Sequence, residues 1–466
     1  MAARPLMAAV RDSKASPTAV ADMIGPVLSR LSALAPRPAS LEASGLAPEM
    51  LADLTLKHLL RAGSLTGGGL SERLGLIGTV LEPIIQFLRQ EGQIQLQSRA
   101  SFDNEVRLTL TERGRQSAED AKRRCGYVGP APVTLETSSR LVREQTIPRR
   151  SLGRELVTRS FREIIMSEEL CERLGVAMAS GRAIFIYGPA GSGKTYIASR
   201  LIAALTGEIL IPHAITVNGK IVRVFDAAVH DRIELLESNR RLLLSQGYDA
   251  RFALCERPLI IAGGEMTEDM LDVQFNSITH EYDAPLQMKA NGGLLVIDDL
   301  GRQRFMPQRL FDRWIVPLEQ QVDHLAAGVD ARFATPCDAI IVFSTNLEPT
   351  ELADDAVMRR LGYKIELGAL SVDLYARVWA SVCDEMAVEF DPKLLTYVLN
   401  RLYATSGRPL LACHPRDLVC MALDKCAYDE RGTDFNADDL RWAWANYFLP
   451  VEEGGDAAKR SHLGAR

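Results

Sequence analysis

Apolar positions along the chain follow two periods, and the changes of period mark its elements. Ala183-Ile184-Phe185-Ile186-Tyr187, Leu259-Ile260-Ile261-Ala262, Leu294-Leu295-Val296-Ile297 and Ala339-Ile340-Ile341-Val342-Phe343 are short unbroken apolar runs. Runs of this length predict buried strands. Apolar residues at helical spacing occupy Phe161–Ala179, Tyr196–Ile202 and Gln308–Gln320. The same spacing in Ser371–Ala387, Asp391–Tyr403, Pro415–Tyr428 and Ala437–Phe448 predicts a small helical bundle, with Trp442, Trp444, Tyr447 and Phe448 in its core. Val217-Asn218-Gly219-Lys220 is a hairpin signal of the type I′ kind, and Val322–Thr335 reads as a second hairpin. A helix is expected from His230 to about Leu244.

The first 45 residues carry Pro5, Pro17, Pro26, Pro36 and Pro38 among Ala and Ser. That composition predicts a mostly disordered arm with one helix near Ala19–Leu34. Residues 46–125 read as a separate small domain. Leu51–Ala62, Leu70–Leu76 and Thr79–Gln90 are helical, Ile94–Arg99 and Glu105–Leu110 alternate as strands, and Thr111–Arg124 closes the unit. Three helices and a hairpin resemble a winged helix, with Pro83 a mild misfit in the third helix. Residues 126–154, with Gly129-Pro130-Ala131-Pro132, read as a linker, and 451–466 as a polar tail. The α/β domain is placed at 155–366 and the helical lid at 367–450.

At 466 residues the chain is expected to form several domains, and its net charge of -6 leaves no global basic footprint for nucleic acid. The third helix of the small domain offers Arg89 against Glu82 and Glu91, so protein docking is favoured there over DNA. No apolar run is long enough to span a membrane, and the N-terminus lacks a secretory apolar segment. The eight cysteines form no C-x-x-C pair, and the spacing of Cys413, His414, Cys420 and Cys426 suits no zinc site. A cytoplasmic protein with reduced thiols is expected.

The chemistry centres on Gly188-Pro189-Ala190-Gly191-Ser192-Gly193-Lys194-Thr195, set between a predicted strand and the helix opened by Tyr196. In that context the glycine loop cradles phosphates with backbone N–H groups, and the helix adds its positive end. Lys194 would reach the β- and γ-phosphates, and the Thr195 hydroxyl would hold Mg²⁺. Asp298 ends the apolar strand 294–297 and is placed to hold the same Mg²⁺, with Asp299 beside it to orient the attacking water. The strand 339–343 ends in Ser344-Thr345-Asn346, Met358-Arg359-Arg360 follows, and His414-Pro415-Arg416-Asp417 opens a later helix.

Five stations in this order resemble the AAA+ ATPases over roughly residues 155–450: Walker A, Walker B, sensor 1, arginine finger and sensor 2. The resemblance implies a P-loop α/β core with a C-terminal helical lid. It likens Asn346 to sensor 1, Arg359 or Arg360 to a finger acting on a neighbouring subunit's nucleotide, and Arg416 to sensor 2. ATP and Mg²⁺ are then the cofactors, and a homo-oligomeric ring, hexameric in the usual case, the assembly. The hairpin before the sensor strand resembles the pre-sensor-1 hairpin clade, and the domain order resembles a bacterial group of AAA+ ATPases. The implied function is ATP hydrolysis at subunit interfaces, in a chaperone-like role that remodels or assembles a macromolecular partner; the charge of the small domain favours protein over DNA as that partner. The alternatives are a DNA motor or loader, and an ATP-binding switch with negligible turnover. The switch is motivated by Asp299, since the family usually has Glu there. Bland readings compete at each station: Arg359 and Arg360 as ion-pair partners of Asp354 and Asp355, and Asp417 neutralising Arg416 within its own helix turn.

Overall fold

The computed structural model describes residues 27–97, 106–146, 152–233, 247–328, 331–352 and 355–448. Residues 27–34 are helical, and Leu31 and Ala35 are buried against the body of the protein rather than lying in a loose arm. The small domain then runs α1 (Pro48–Ala62), β1 (Ser64–Thr66), α2 (Gly67–Leu74), α3 (Gly78–Gln90), β2 (Ile94–Gln97), β3 (Arg107–Leu110) and α4 (Glu112–Arg124). Its three strands are ordered β1-β3-β2, all antiparallel. Strand β1 escapes a periodicity reading because three residues are too few to show a period. Residues 98–105, which include the end of the first expected strand and the start of the second, lie outside the described residues. Leu51, Leu54, Leu59, Leu70, Leu74, Val80, Ile84 and Leu88 form one core. Pro83 is tolerated inside α3 because it lies on the exposed face, where water can satisfy the carbonyl it leaves unpaired.

The stretch expected to be a linker is instead built into the fold. Val133–Thr134 (β4) pairs in parallel with β7 (Ala214–Val217), and Leu135–Gln145 (α5) follows, with the Thr134 hydroxyl capping it. The Gln145 amide closes two bonds onto the Leu210 backbone, donating to its carbonyl at 3.0 Å and accepting from its N–H at 2.6 Å. The Pro/Gly composition of 129–132 is real, but the buried Val133 and Leu141 just after it supply the burial energy a linker lacks.

Of the helix expected at Phe161–Ala179 only the second part is helical, within Glu168–Ser180 (α7), and a separate short helix, Arg154–Ser160 (α6), precedes the expected start. The Ser167 hydroxyl accepts from the Leu170 N–H and starts the second, leaving 161–166 as an irregular connection. Next come β5 (Ile184–Tyr187), the P-loop and α8 (Lys194–Arg200). The strands β10 (Leu259–Ala262), β13 (Leu294–Ile297), β16 (Ile340–Thr345) and β17 (Tyr363–Glu366) join β5 in one sheet of order β10-β13-β16-β5-β17. All neighbours in it are parallel. Ile184, Ile186, Leu294, Val296, Ile340 and Val342 face α7 and α8. Phe185, Leu295, Ile297, Ile341 and Phe343 face α9 (Pro307–Gln320) through Leu310, Phe311 and Trp314. This is a parallel α/β core that carries the glycine loop at the end of β5, with a C-terminal helical region beside it.

Most of a second body is built by the chain between β5 and β13, where β6 (Ile209–Pro212) also pairs with β9 (Phe252–Cys255). Its mixed sheet has the order β11-β12-β8-β7-β4, with β8 at Lys220–Arg223, β11 at Gln274–Asn276 and β12 at Glu281–Asp283. The β7–β8 turn is as expected: Asn218 and Gly219 both have positive φ, 47° and 78°. Residues 230–233 are not helical; Arg232 bridges to Cys255, and 234–246 lie outside the described residues. The expected hairpin forms from β14 (Val322–Ala326) and β15 (Arg332–Pro336). A short helix, α10 (Asp355–Arg360), precedes β17. The lid comprises α11 (Val372–Glu385), α12 (Pro392–Tyr397, continued by a π-helical turn over Val398–Tyr403), α13 (His414–Tyr428) and α14 (Ala437–Tyr447). Tyr375, Trp379, Leu418, Val419 and Leu440 form its core, while Trp442, expected inside, is partly exposed.

Candidate nucleotide site

Parallel pairing sets β5, β13 and β16 side by side, with Thr345 level with Tyr187 and Phe343 level with both Phe185 and Ile297. Their C-terminal ends therefore deliver the glycine loop, the two acids and the Ser344-Thr345-Asn346 turn to one edge of the sheet. Gly188 has φ 142°, and a Cβ there would come within 2.2 Å of the Leu367 carbonyl oxygen. Gly191 has φ 85°, and its Cβ would come within 2.5 Å of Cys413 Sγ. The loop is thus shaped by contact with the lid as well as by its own backbone. The Cys413 N–H donates to the Gly191 carbonyl at 3.1 Å, which seats the start of α13 on the loop.

Lys194 is buried, and its ammonium donates to the carbonyls of Gly188 at 3.0 Å and Pro189 at 2.8 Å. Burial lowers its pKa, while the charges of Asp299 and Asp298 act the other way. The Thr195 hydroxyl lies 2.9 and 2.8 Å from the two carboxylate oxygens of Asp298. A hydroxyl and a carboxylate in contact are the hard oxygen donors Mg²⁺ takes. The Ser192 hydroxyl is buried with no partner among the described residues, as a group waiting for a phosphate oxygen would be. The donor set fits a magnesium nucleotide.

Asp299 turns away from the strand in a left-handed conformation, φ 49°, which an Asp side chain tolerates better than most. The next residue anchors the turn, since the Leu300 N–H donates to the Ser344 carbonyl at 2.7 Å. The Asn346 amide donates to Asp299 Oδ1 at 3.1 Å, and the Arg302 guanidinium stands 3.9 Å from Asp299 Oδ2. The Ser344 hydroxyl donates to Asp298 Oδ1, and the Gln303 amide to the Asp298 carbonyl at 2.9 Å. The motifs point to none of these contacts of Ser344, Arg302 and Gln303; the available signal was that Ser344, near the end of β16, stands just before Asn346.

The glycine loop, Asp299, Arg302 and Asn346 open into a cleft of about 820 Å³ between core and lid. Ala190–Ile197, Asp299, Arg302 and Asn346 line one side, and Leu370, Leu374, Val378, Glu385, Cys413 and Arg416 the other. The irregular connection after α6 contributes Glu163, Ile165 and Met166. Tyr196 is half exposed in the cleft, with the Arg200 guanidinium 5.3 Å from its ring centre. Arg416 reaches the cleft paired with Glu385 of α11. Asp417 makes no ion pair with it among the described residues; its carboxylate accepts from the Tyr447 hydroxyl at 2.6 Å, and its charge acts on Arg416 only at longer range. Arg359 and Arg360 do not line the cleft. Arg360 pairs with Glu319 at 2.6 Å, whereas Arg359 is exposed and makes no ion pair among the described residues.

Residues 371–446, the lid, match the family described as Domain of unknown function (DUF8689). No curated protein matches the chain. Among solved structures, the Holliday junction branch migration motor RuvB of Thermotoga maritima is 14% identical, over 62% of this chain and 72% of that one, with TM-score 0.35. NtrX from Brucella abortus is 14% identical over 73% of this chain and 62% of that one, with TM-score 0.38. The same protein in complex with ADP is 16% identical over 72% and 67%, with TM-score 0.35. Likenesses this faint carry no argument about activity, which the site's own geometry must supply. None of the described helices is long and apolar enough to cross a membrane.

Proposed function

We propose that the chain is an AAA+-type ATPase that binds ATP with Mg²⁺ in this cleft and hydrolyses it to ADP and phosphate. The observation that carries the reading is the contact of Thr195 with Asp298 beside a buried Lys194, with Asp299 and Asn346 facing the same open cleft. Gly188–Tyr196 bind the nucleotide, Lys194 neutralises the phosphates, and Thr195 with Asp298 holds the metal. Bound Mg²⁺ would supply charge neutralisation at the phosphates. Asp299, tethered by Asn346, orients the attacking water, and Arg416 reaches toward the phosphates from the lid.

Of the two candidate fingers the structure favours Arg359, since Arg360 is engaged within its own chain. A finger outside its own cleft can act only on a neighbour's nucleotide, so turnover needs a homo-oligomeric ring. The small domain is read as winged-helix-like and as a protein-docking module. Support comes from the exposed face of α3, where Phe87 is open to solvent, and from exposed Leu96 on β2 and Val106 just before β3. A groove-reading helix carries cationic and amide groups there instead. The chain would then remodel or assemble a protein client.

Phosphate release measured against protein concentration tests this, with and without duplex DNA. Specific activity is expected to rise with concentration. It is expected to fall about 10³-fold in Arg359→Ala and to survive in Arg360→Ala. Stimulation by DNA would instead support the DNA-motor reading. Flat, negligible turnover with intact nucleotide binding would support the switch, whose structural motive is the short Asp299 side chain already held by Asn346 and faced by Arg302.

A further inference from the structure

Glu385 and Arg416 are the two charged lid residues that pair across the mouth of the cleft. Each sits at the wrong end of its helix for the helix dipole. Glu385 is the last residue of α11, where a negative charge meets the negative end. Arg416 is in the first turn of α13, where a positive charge meets the positive end. Neither position helps its helix, so helix stability does not account for the pair. It is also open to solvent, the side chains being 52% and 60% exposed, so it holds weakly and yields readily to a stronger partner. Asp417, the next residue in the chain, accepts from the Tyr447 hydroxyl and makes no ion pair with Arg416 among the described residues. The start of α13 is seated on the P-loop through Cys413 and Gly191, so Arg416 lies one turn from the loop that would carry the phosphates. Both partners belong to the lid, so the guanidinium can change partners by side-chain rotation without moving either helix.

We propose that Glu385 is a positioning residue, a latch that holds Arg416 off the nucleotide at rest and releases it to the terminal phosphate of ATP. The latch thereby sets the preference of the site for ATP over ADP. ATP, with one more phosphate, outcompetes the glutamate; ADP does not, and the pair stays closed. The inference rests on the ATPase reading above.

The test is calorimetric titration of the full chain with Mg²⁺ and either ADP or the β,γ-imido analogue of ATP, at low and high salt. Glu385→Gln keeps the side chain's shape and removes its charge. At low salt it is expected to tighten the ATP analogue roughly twofold to fivefold, the range of an exposed ion pair, and to leave ADP unchanged. At high salt the difference should shrink. In an Arg416→Ala background the same substitution should have no effect. Equal tightening of both nucleotides, or tightening that persists without Arg416, would show general relief of charge in the cleft and overturn the latch. So would unchanged affinities in Glu385→Gln when the wild type binds both ligands. Glu385→Ala should repeat the direction, so the result does not hang on one variant's fold. A wild-type chain that binds neither nucleotide overturns the ATPase reading itself, and the latch with it.

Discussion

Arg251 and Asp249 form the most enclosed ion pair described in the protein, and its disruption has a calculable consequence. Their residues are 3% and 1% exposed. The Arg251 Nε stands 3.1 and 3.0 Å from the two Asp249 carboxylate oxygens, and a terminal nitrogen stands 2.7 Å from Oδ2. The other terminal nitrogen donates to the carbonyls of Ser44 at 3.2 Å and Pro132 at 3.1 Å. One guanidinium thus ties together the N-terminal segment, the chain leading to β4, and the body inserted between β5 and β13. Arg251→Met keeps most of the side-chain volume but strands a buried carboxylate and two carbonyls. Removing one partner of a buried pair costs about 3–5 kcal/mol. The unpaired carbonyls are part of the same loss and are not added to it. Asp249 retains the Arg251 backbone N–H at 3.0 Å, which favours the lower half of that range. The protein has several cores, so global melting is a poor measure. Hydrogen exchange resolved by peptide is the suitable assay. Protection of peptides covering 40–46, 128–134 and 247–255 should fall by roughly a hundredfold or more, with the lid peptide 415–428 unchanged. The double variant Asp249→Leu/Arg251→Met removes both charges and should recover most of the protection. A local loss below about 1 kcal/mol in the single variant, or a double variant no better than the single, would refute the reasoning.

Three further outcomes follow from the site and its surroundings. Gly191→Ala should abolish nucleotide binding in a fluorescence titration, because the added methyl meets Cys413 Sγ at 2.5 Å and the φ of 85° disfavours any side chain. Asp299→Asn should keep nucleotide binding and lose phosphate release by about 10²-fold or more, if the carboxylate orients the water; unchanged turnover would remove Asp299 from the mechanism. Burial, with Arg232 adding to it, pushes the His213 pKa down to about 4 from an ordinary 6.5. The unfolded chain therefore binds the extra proton between those values, and stability should be full above pH 6.5 and fall toward pH 4. The slope is at most about 1.4 kcal/mol per pH unit. His213→Phe should flatten that limb in hydrogen exchange of the peptide covering 209–224, followed at several pH values.

The parts legible in the sequence are those in which neighbours in the chain do the work. The P-loop is eight consecutive residues, the four long core strands are unbroken apolar runs, and the β7–β8 turn is set by Asn218 and Gly219. The lid helices follow from their own spacing and from caps such as Ser371 and Asn436. The resemblance in motif order led to the expectation that Asp298, Asn346 and Arg416 share one site; Asn346 and Arg416 line one cleft, and Asp298 lies against Thr195 beside it.

Tertiary structure alone decided what depends on distant partners. Two residues, Val133 and Thr134, become a strand only because β7 offers an edge more than eighty residues later. Phe161–Met166 leaves the helical pattern and becomes a wall of the cleft. Arg359 and Arg360 are adjacent and alike in the sequence, and only the position of Glu319 on α9 separates a paired arginine from an exposed one. Asp417 looks like the natural partner of Arg416 by spacing, yet Tyr447 takes it and leaves Arg416 to Glu385. Local pattern fixes backbone states because backbone preference and side-chain period act within a few residues. Charge pairing and strand pairing are chosen by three-dimensional distance, which the linear order does not contain.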